Sequence, residues 1–148
     1  MKKELKLLLL ISIIILGIIA ISGCISDDST SQNDINHTVD ESGQYTTKED
    51  VASYINTYHK LPNNFITKKE AKKLGWEGGS LEKYAPGKSI GGDKFTNREK
   101  SLPDGKTYTE CDINTQGASS RGAERIVFSD DFKIYYTHDH YKTFTSLN

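Results

Sequence analysis

The stretch ERIVFSDDFKIYYT, residues 124–137, decides the fold of this protein. Two short segments rich in β-branched and aromatic residues, ERIVFS and FKIYYT, are joined by the polar link Ser129-Asp130-Asp131. Strand-forming segments separated by a short polar link are typical of an antiparallel hairpin. The sequence therefore predicts two paired strands in the C-terminal part of the chain.

Further strand candidates lie on both sides of this hairpin. TYTECDIN at 107–114 precedes it and HYKTFT at 140–145 follows it, both with strand-like alternation. Farther upstream, GDKFTNRE at 92–99 predicts a fifth strand at the edge of the sheet. Together these segments predict an antiparallel meander that begins after Pro86.

The region upstream shows helical spacing instead. TTKEDVASYINTYHKLP at 46–62 predicts a helix that Thr46 or Thr47 caps and that Pro62 stops. His59 falls in its last turn, where an imidazolium suits the helix dipole, so we expect a structural role for it.

A second, shorter helix is predicted by TKKEAKKLGW at 67–76. Thr67 and Glu70 have the spacing of a capping box, and Ala71 and Leu74 are expected to face inward. A third helical turn is predicted within SLEKYAPG. Helices that precede an antiparallel meander indicate an α+β domain, with N-terminal helices on one face of the sheet and the other face free for a ligand.

The N-terminus has the pattern of an export signal. Residues 1–23 begin with the basic MKKELK and continue with an uncharged apolar run. Ile21 to Cys24 resembles the lipobox of prokaryotic lipoproteins, so we expect lipidation of Cys24. An uncleaved membrane anchor is the alternative, since Leu7 to Ile21 nearly reaches spanning length. Either way, the domain is expected to be extracellular, secreted or lipid-anchored at the outer face of the cell membrane.

Residues 24–44 are predicted to form a disordered acidic stalk. The segment is rich in Ser, Asp and Asn and contains no aromatic residue. Its net charge is −5, whereas residues 45–148 carry +2, so the whole-chain value of −1 hides a mildly basic domain. That charge suits an anionic ligand but is common among proteins.

Cysteine usage excludes a disulfide-stabilised scaffold. Besides Cys24 the chain contains only Cys111, so a domain without an internal disulfide must depend on its core. We expect Cys111 to be a small buried apolar residue.

Arginine is scarce in this chain, with three residues against sixteen lysines. Arg125 and Glu110 fall within predicted strands, where they can face a ligand, and Arg121 precedes its strand in a Gly/Ser-rich loop. A guanidinium fork suits phosphate. Surface ion pairs of arginine with glutamate are the alternative.

Lys68 and Lys69 occupy the first turn of the second helix, where positive charge is unfavourable. A local rule broken in this way often marks a functional site. Simple solvation of both ammonium groups is the alternative.

Three consecutive residues near the C-terminus, His138, Asp139 and His140, raise the possibility of a metal site. In an extended segment the two histidines point to opposite faces, and no cluster of cysteine or histidine elsewhere completes a ligand set. The sequence therefore predicts no metal site.

Several ordered blocks resemble one family, the barnase-like secreted guanyl-preferring bacterial ribonucleases of the microbial ribonuclease superfamily. The blocks span nearly all of residues 45–148, the predicted ribonuclease domain, and are YHKLPNNFITKKEAKKLGW, APGKSIGGDKFTNRE, LPDGKTYTECDIN, ERIVFSDDFKIYYT and DHYKTF. The resemblance implies the barnase-like fold, with N-terminal helices on one face of a C-terminal antiparallel sheet.

The resemblance also implies roles for individual residues. Glu110 matches the general base and His140 the general acid, with Asp139 in the turn that presents His140 and His138 incidental. The residues that match phosphate-binding cations are Lys68, Arg121 and Arg125, and those that match substrate-binding positions are Asn97, Arg98, Glu99 and Tyr141.

The implied reaction is cleavage of single-stranded RNA after guanosine through a 2′,3′-cyclic phosphate, without metal or cofactor. RNA is the implied substrate, a barstar-like inhibitor an implied partner, and the expected state a monomer on its lipid anchor. A surface-tethered RNA-binding or toxin-like module that has lost turnover is the alternative.

Overall fold

The computed structural model describes residues 37–148. Their two α-helices are α1 (Lys48–Tyr58) and α2 (Lys68–Lys73), and their six strands form one sheet in the order β1 to β6. The strands are β1 (Phe65–Ile66), β2 (Ser89–Phe95), β3 (Tyr108–Asp112), β4 (Arg125–Ser129), β5 (Ile134–Thr137) and β6 (Thr145–Ser146). β1 pairs with β2 in parallel and all other neighbours are antiparallel. The α+β prediction is confirmed. The predicted export signal and Cys24 lie outside the described residues.

Helix α1 begins and ends at local capping signals. The Thr47 side chain accepts a hydrogen bond from the Asp50 backbone N–H and forms the N-cap. The helix ends at Tyr58, before Pro62, because His59 takes the left-handed conformation with φ of 57°. His59 thus has the structural role that was predicted, as the C-cap.

Helix α2 has the predicted capping box. Thr67 Oγ1 accepts from the Glu70 backbone N–H at 3.2 Å, and Glu70 Oε2 accepts from the Thr67 backbone N–H at 2.7 Å. Ala71 is buried as expected, but Leu74 is 54% exposed, so its predicted inward position is wrong. Leu74 is the C-cap, where the chain leaves the helix through Gly75 with φ of 91°. The predicted third helical turn is a single turn around the Leu81 carbonyl.

The last predicted strand is wrong over most of its length. Residues 140–143 form bends, and only Thr145–Ser146 pairs with β5. The reason is local, since His140 and Tyr141 have φ of 58° and 70°, which no strand accommodates.

The strand predicted from GDKFTNRE begins earlier and lies inside the sheet. β2 starts at Ser89 and ends at Phe95, and β1 pairs on its outer side, so it is not the edge strand. The first residues of β2, which are buried, pair with β1, with Ile66 opposite Ile90.

The back face of the sheet carries the main core. α1 packs there against strands β3 to β5, and Cys111 is buried among the apolar residues, as predicted. Burial raises the pKa of its thiol, which is therefore inert. The buried members of this core are Val51, Ala52, Ile55, Cys111, Ile113, Ile126, Phe128, Ile134 and Leu147.

The front face presents the charged residues. Successive strand residues alternate between faces, so Cys111 on the back places Glu110 and Asp112 on the front. Asp112 pairs in register with Arg125, and Glu110 with Val127. The sequence expectation of one helix-covered face and one face for polar groups is thus met by β3 and β4.

The last eight residues of the predicted stalk belong to the folded domain. The Tyr54 hydroxyl donates to the Glu41 carbonyl at 2.8 Å, and the Tyr58 hydroxyl to the Val39 carbonyl at 3.0 Å. The His37 backbone N–H also donates to Ser53 Oγ. Two tyrosine hydroxyls on α1 thus hold a segment that is polar except for Val39. Within residues 37–148 no helix is long and apolar enough to cross a membrane.

Candidate active site

Glu110 lies at the centre of the front face with both carboxylate oxygens engaged. Lys68 Nζ is 2.5 Å from Oε1, and the Tyr141 hydroxyl donates to Oε2 at 2.7 Å. Glu110 is only 8% exposed. The two contacts, one on each carboxylate oxygen, hold the Glu110 side chain in one orientation.

The position of Lys68 depends on how α2 meets the sheet. The Lys68 backbone N–H donates to Asp93 Oδ2 at 2.9 Å, which ties the start of α2 to β2. β2 carries a bulge between Gly91 and Asp93, where Gly92 has φ of 97°. A bulge redirects side chains locally. The sequence marked Lys68 as misplaced for helix stability, and the carboxylate of Glu110 now accounts for its position.

Both arginines converge on one buried carboxylate. Arg121 Nε and Nη2 donate to Asp112 Oδ2 and Oδ1 at 2.7 and 2.8 Å, a bidentate pair. This hydrogen bonding raises the pKa of the Arg121 guanidinium. Arg125 Nε lies 2.9 Å from Asp112 Oδ1, close enough for an ion pair, although its N–H does not point at the oxygen. One carboxylate therefore holds two guanidinium groups side by side.

Arg125 is fixed further by the backbone of the loop before β4. Its Nη1 donates to the carbonyls of Arg121 and Glu124, and its Nη2 to that of Gly122. Arg125 and Asp112 are each 2% exposed. The loop that was identified by its composition thus wraps around Arg125 and carries Arg121 over the Trp76 ring, 5.7 Å from its centre.

Asp112 is a site residue that the sequence reasoning missed. It lies two positions after Glu110 in the same strand, and this spacing places both on one face of a sheet. The signal was therefore present in the sequence, as a second carboxylate in phase with the first. Lys68, Arg121 and Arg125 thus lie beside Glu110 and Asp112, with Asp93 as a third carboxylate next to Lys68.

His140 lies in a loop that Asp139 organises. Asp139 Oδ1 accepts from the Thr143 and Lys142 backbone N–H groups and from Thr137 Oγ1, and its Oδ2 from Thr143 Oγ1. These hydrogen bonds, those from Thr143 first, hold the pKa of the Asp139 carboxyl below its usual range. The predicted turn is thus present.

The same loop presents the His140 imidazole at the site. The His140 backbone N–H donates to the Ala123 carbonyl at 3.1 Å, which ties it to the arginine loop. The imidazole is exposed, and its centre lies 4.8 Å from that of the Tyr141 ring. Because the Tyr141 hydroxyl reaches Glu110, the imidazole and the carboxylate flank one tyrosine.

Tyr141 is part of an apolar cluster on the front face. Its ring stacks on Phe95 with centroids 5.2 Å apart, and Leu102, Tyr108 and Val127 form the buried base of the cluster. Burial and the hydrogen bond to Glu110 raise the pKa of the Tyr141 phenol. The phenol therefore stays protonated and continues to donate to Glu110.

The side chain of Asn97 fixes the conformation of the loop that follows β2. The Asn97 side chain accepts from the Leu102 backbone N–H at 3.1 Å and donates to the Leu102 carbonyl at 2.8 Å. The Lys100 backbone N–H donates to the Asn97 carbonyl and closes a turn with Arg98 and Glu99 exposed at its tip. Three of the predicted substrate-binding residues, Asn97, Arg98 and Glu99, thus lie together at the end of β2 nearest Tyr141.

No group of three or more histidine, cysteine, aspartate or glutamate side chains is arranged to hold a metal ion within residues 37–148. His138 is exposed on the loop beside the site. The front face brings together the carboxylates of Glu110 and Asp112 with the cations Lys68, Arg121 and Arg125, and the His140 imidazole lies beside Tyr141.

Comparisons with known proteins identify the family of this chain. A family profile described as ribonuclease matches residues 48–148. Curated ribonucleases from Bacillus intermedius and Bacillus pumilus are each 50% identical over 105 residues, which cover 68% of this chain and 64% of their own length. A ribonuclease from Heyndrickxia coagulans is 50% identical over 105 residues, which cover 68% of this chain and 95% of that protein. Guanyl-specific ribonuclease St from Saccharopolyspora erythraea is 42% identical over 55 residues, which cover 36% of this chain and 54% of that protein.

An α+β domain with a helix-covered back face and a charged front face is the class that the structure defines. The chain belongs to the ribonuclease family, and its resemblance to the barnase-like members is confirmed.

Proposed function

We propose that this protein is an extracellular endoribonuclease that cleaves single-stranded RNA after guanosine by transesterification. The observation that carries the proposal is the pairing of Glu110 with Lys68 and Tyr141, beside two arginines that share Asp112. A fixed carboxylate beside three cations suits a phosphodiester that brings its own nucleophile.

In the proposed first step, Glu110 removes the proton of the ribose 2′-hydroxyl as its oxygen attacks the phosphorus. His140 gives a proton to the departing 5′-oxygen, and the product is a 2′,3′-cyclic phosphate. In the slower second step the roles exchange, since His140 takes a proton from water and Glu110 returns one to the 2′-oxygen. The Glu110 carboxylate and the His140 imidazole flank Tyr141, and this arrangement supports the division of roles between them.

The phosphorane that forms within each step, as one P–O bond forms and another breaks, carries two negative charges. Lys68, Arg121 and Arg125 are the groups proposed to stabilise it, because they are preorganised before substrate binds. Asp112 engages Nε and Nη2 of Arg121 and leaves its Nη1 for the phosphate, whereas the buried Arg125, whose Nη1 and Nη2 donate to loop carbonyls, would contribute its positive charge. DNA lacks the 2′-hydroxyl and is expected to resist cleavage.

Guanine preference is proposed to reside in the loop after β2. The turn exposes Glu99, whose carboxylate can accept the N–H donors of guanine, and the backbone of Asn97 and Arg98 beside it. A relative named guanyl-specific ribonuclease supports this assignment.

The setting of the enzyme is part of the proposal. The basic and apolar N-terminus and the cysteine at position 24 support export with a lipid anchor at the outer face of the cell membrane. We propose a monomer whose partner, besides RNA, is a barstar-like inhibitor.

The test compares GpA, ApA and 2′-deoxy-GpA as substrates of the full-length protein in EDTA. Cleavage of GpA to guanosine 2′,3′-cyclic phosphate is expected, with slower cleavage of ApA and none of deoxy-GpA. Glu110→Gln and His140→Ala are each expected to lower kcat by about 10²–10⁴-fold. His138→Ala is the matched control, because His138 lies in the same loop and is equally exposed. A folded wild type that binds RNA but leaves GpA intact would instead establish the binding module.

A further inference from the structure

We infer that Lys72 and the depression beside it form a binding position for the RNA phosphate on the 3′ side of the scissile one. The inference rests on the proposed function and extends it to longer substrates. The depression has a volume of about 380 Å³ and is lined by Lys72, Gly75, Trp76 and Glu77.

Lys72 lies on the same side of α2 as a residue of the site. Residues four positions apart on a helix are neighbours on one face, so Lys72 follows Lys68 by about one turn, ~6 Å along the axis. Lys68 Nζ contacts Glu110, where the reacting phosphate would lie. Lys72 therefore continues the row of cations by a distance comparable with one step along an extended RNA strand.

Trp76 connects the depression to Arg121. Trp76 forms part of its lining, and the Arg121 guanidinium lies over the Trp76 ring at 5.7 Å. A phosphate held between Lys68 and Arg121 thus has the depression as its next neighbour on this side. The indole N–H is not available for RNA, because it donates to the Gly79 carbonyl at 3.1 Å.

Lys72 has a charge that the rest of the domain does not neutralise. Among residues 37–148, none forms an ion pair with Lys72, although Glu77 also lines the depression. Lys73 differs, since its charge acts on Glu70 one turn earlier. Lys72 is therefore free to meet a phosphate.

The direction of the strand follows from β2. Trp76 packs on Ile90 near the start of β2, whereas the turn of residues 97–99 follows the end of β2. With guanine at that turn and the scissile phosphate at Glu110, the chain beyond the cleaved bond runs toward Trp76. The phosphate at Lys72 is therefore the one that follows the leaving nucleotide.

The test measures binding, so that its result does not depend on turnover. Full-length Lys72→Gln and wild type are titrated with RNA hexamers that contain one 2′-deoxyguanosine and cannot be cleaved there. One hexamer extends the guanosine on its 3′ side, another on its 5′ side, and 2′-deoxy-GpA is the short reference. Lys73→Gln is the control, since it removes the same charge from the next residue of the same helix.

We expect Lys72→Gln to weaken binding of the 3′-extended hexamer by about 3–10-fold at low salt and to reduce its salt slope by about one charge. Binding of 2′-deoxy-GpA is expected to be unchanged. Equal losses with both hexamers, or the same loss in Lys73→Gln, would reveal a diffuse charge effect and overturn the inference. An unchanged affinity for every ligand would also overturn it. Failure of the proposed function can be distinguished from failure of this inference, because in that case the wild-type protein would leave GpA uncleaved.

Discussion

Lys68 and Glu110 are separated by 42 positions in the sequence, and their side chains meet at 2.5 Å on the front face of the sheet. The contact exists because Asp93 fixes the first turn of α2 against β2, which is the neighbour of β3. A lysine in the first turn of a helix and a carboxylate in a strand are each unfavourable alone. Together they form the centre of the proposed site.

Removal of Lys68 is expected to reduce activity far more than stability. In Lys68→Met, kcat/KM for GpA should fall by about 10²-fold or more, because a preorganised cation is lost from the transition state. The change in unfolding free energy should stay within about 1 kcal/mol, since the lysine end of the pair is partly exposed. Kinetics and urea unfolding measure the two quantities.

Lys69→Met is the control for that prediction, because Lys69 is the exposed neighbour of Lys68 in the same turn. Equal losses of activity in the two variants would contradict a specific role for Lys68.

Asp112→Asn is expected to destabilise the domain. The substitution leaves the buried Arg125 and the partly buried Arg121 without their shared carboxylate. Breaking a buried pair from one side costs about 3–5 kcal/mol. The unfolding midpoint in urea should fall without a change in the slope m, and kcat/KM should fall as the arginines lose their positions.

Asp131→Asn serves for comparison, since Asp131 pairs with Lys106 at the surface. Its effect is expected to be much smaller, and a comparable loss would argue against the burial of the Asp112 cluster as the cause.

Asp139 predicts a pH dependence of stability on the acid side. Hydrogen bonds from Thr143 and Thr137 lower its pKa in the folded state below the ordinary value of 3.8. The ionised carboxylate therefore contributes stability above pH ~4, and this contribution is lost as the pH falls through the folded-state pKa. The difference in unfolding midpoint between wild type and Asp139→Asn should be present at pH 7 and shrink toward pH 2. A difference that is constant over this range would show that ionisation of Asp139 is not involved.

The N-terminal segment is expected to stabilise the domain through α1. Tyr54→Phe removes the hydrogen bond to the Glu41 carbonyl and should lower the unfolding free energy by about 1 kcal/mol. Tyr135→Phe is the control, because no described residue forms a hydrogen bond with its hydroxyl. A chain without residues 37–44 should lose stability beyond the single substitution, and its Tyr54→Phe variant should show no further loss.

Much of the fold followed from local sequence. The capping box of Thr67 and Glu70 and the N-cap at Thr47 are short-range interactions, and short-range signals survive in any context. The β4–β5 hairpin was predicted for the same reason. Leu74 was misplaced because helical periodicity does not show where the chain turns away, and HYKTFT because alternation does not reveal positive φ angles.

The sequence predicted the residue types of the site but not all of the contacts between them. The resemblance named Glu110, His140 and the cations, and their roles stay predictions. Asp112 was missed because its function is to hold two arginines from a loop and a neighbouring strand, and no local pattern records that contact. The ordered part of the stalk was missed for a similar reason, since its backbone carbonyls accept hydrogen bonds from two tyrosine hydroxyls of α1.

The sequence by itself determined α1, α2 and the β4–β5 hairpin, because caps, alternation and turns depend on neighbours within a few positions. It also determined which residue types are available for chemistry. Only the tertiary structure decided that a helix-start lysine and a tyrosine from a bent loop share one carboxylate. Such contacts depend on a strand bulge, a loop path and burial, which are properties of the whole packed domain.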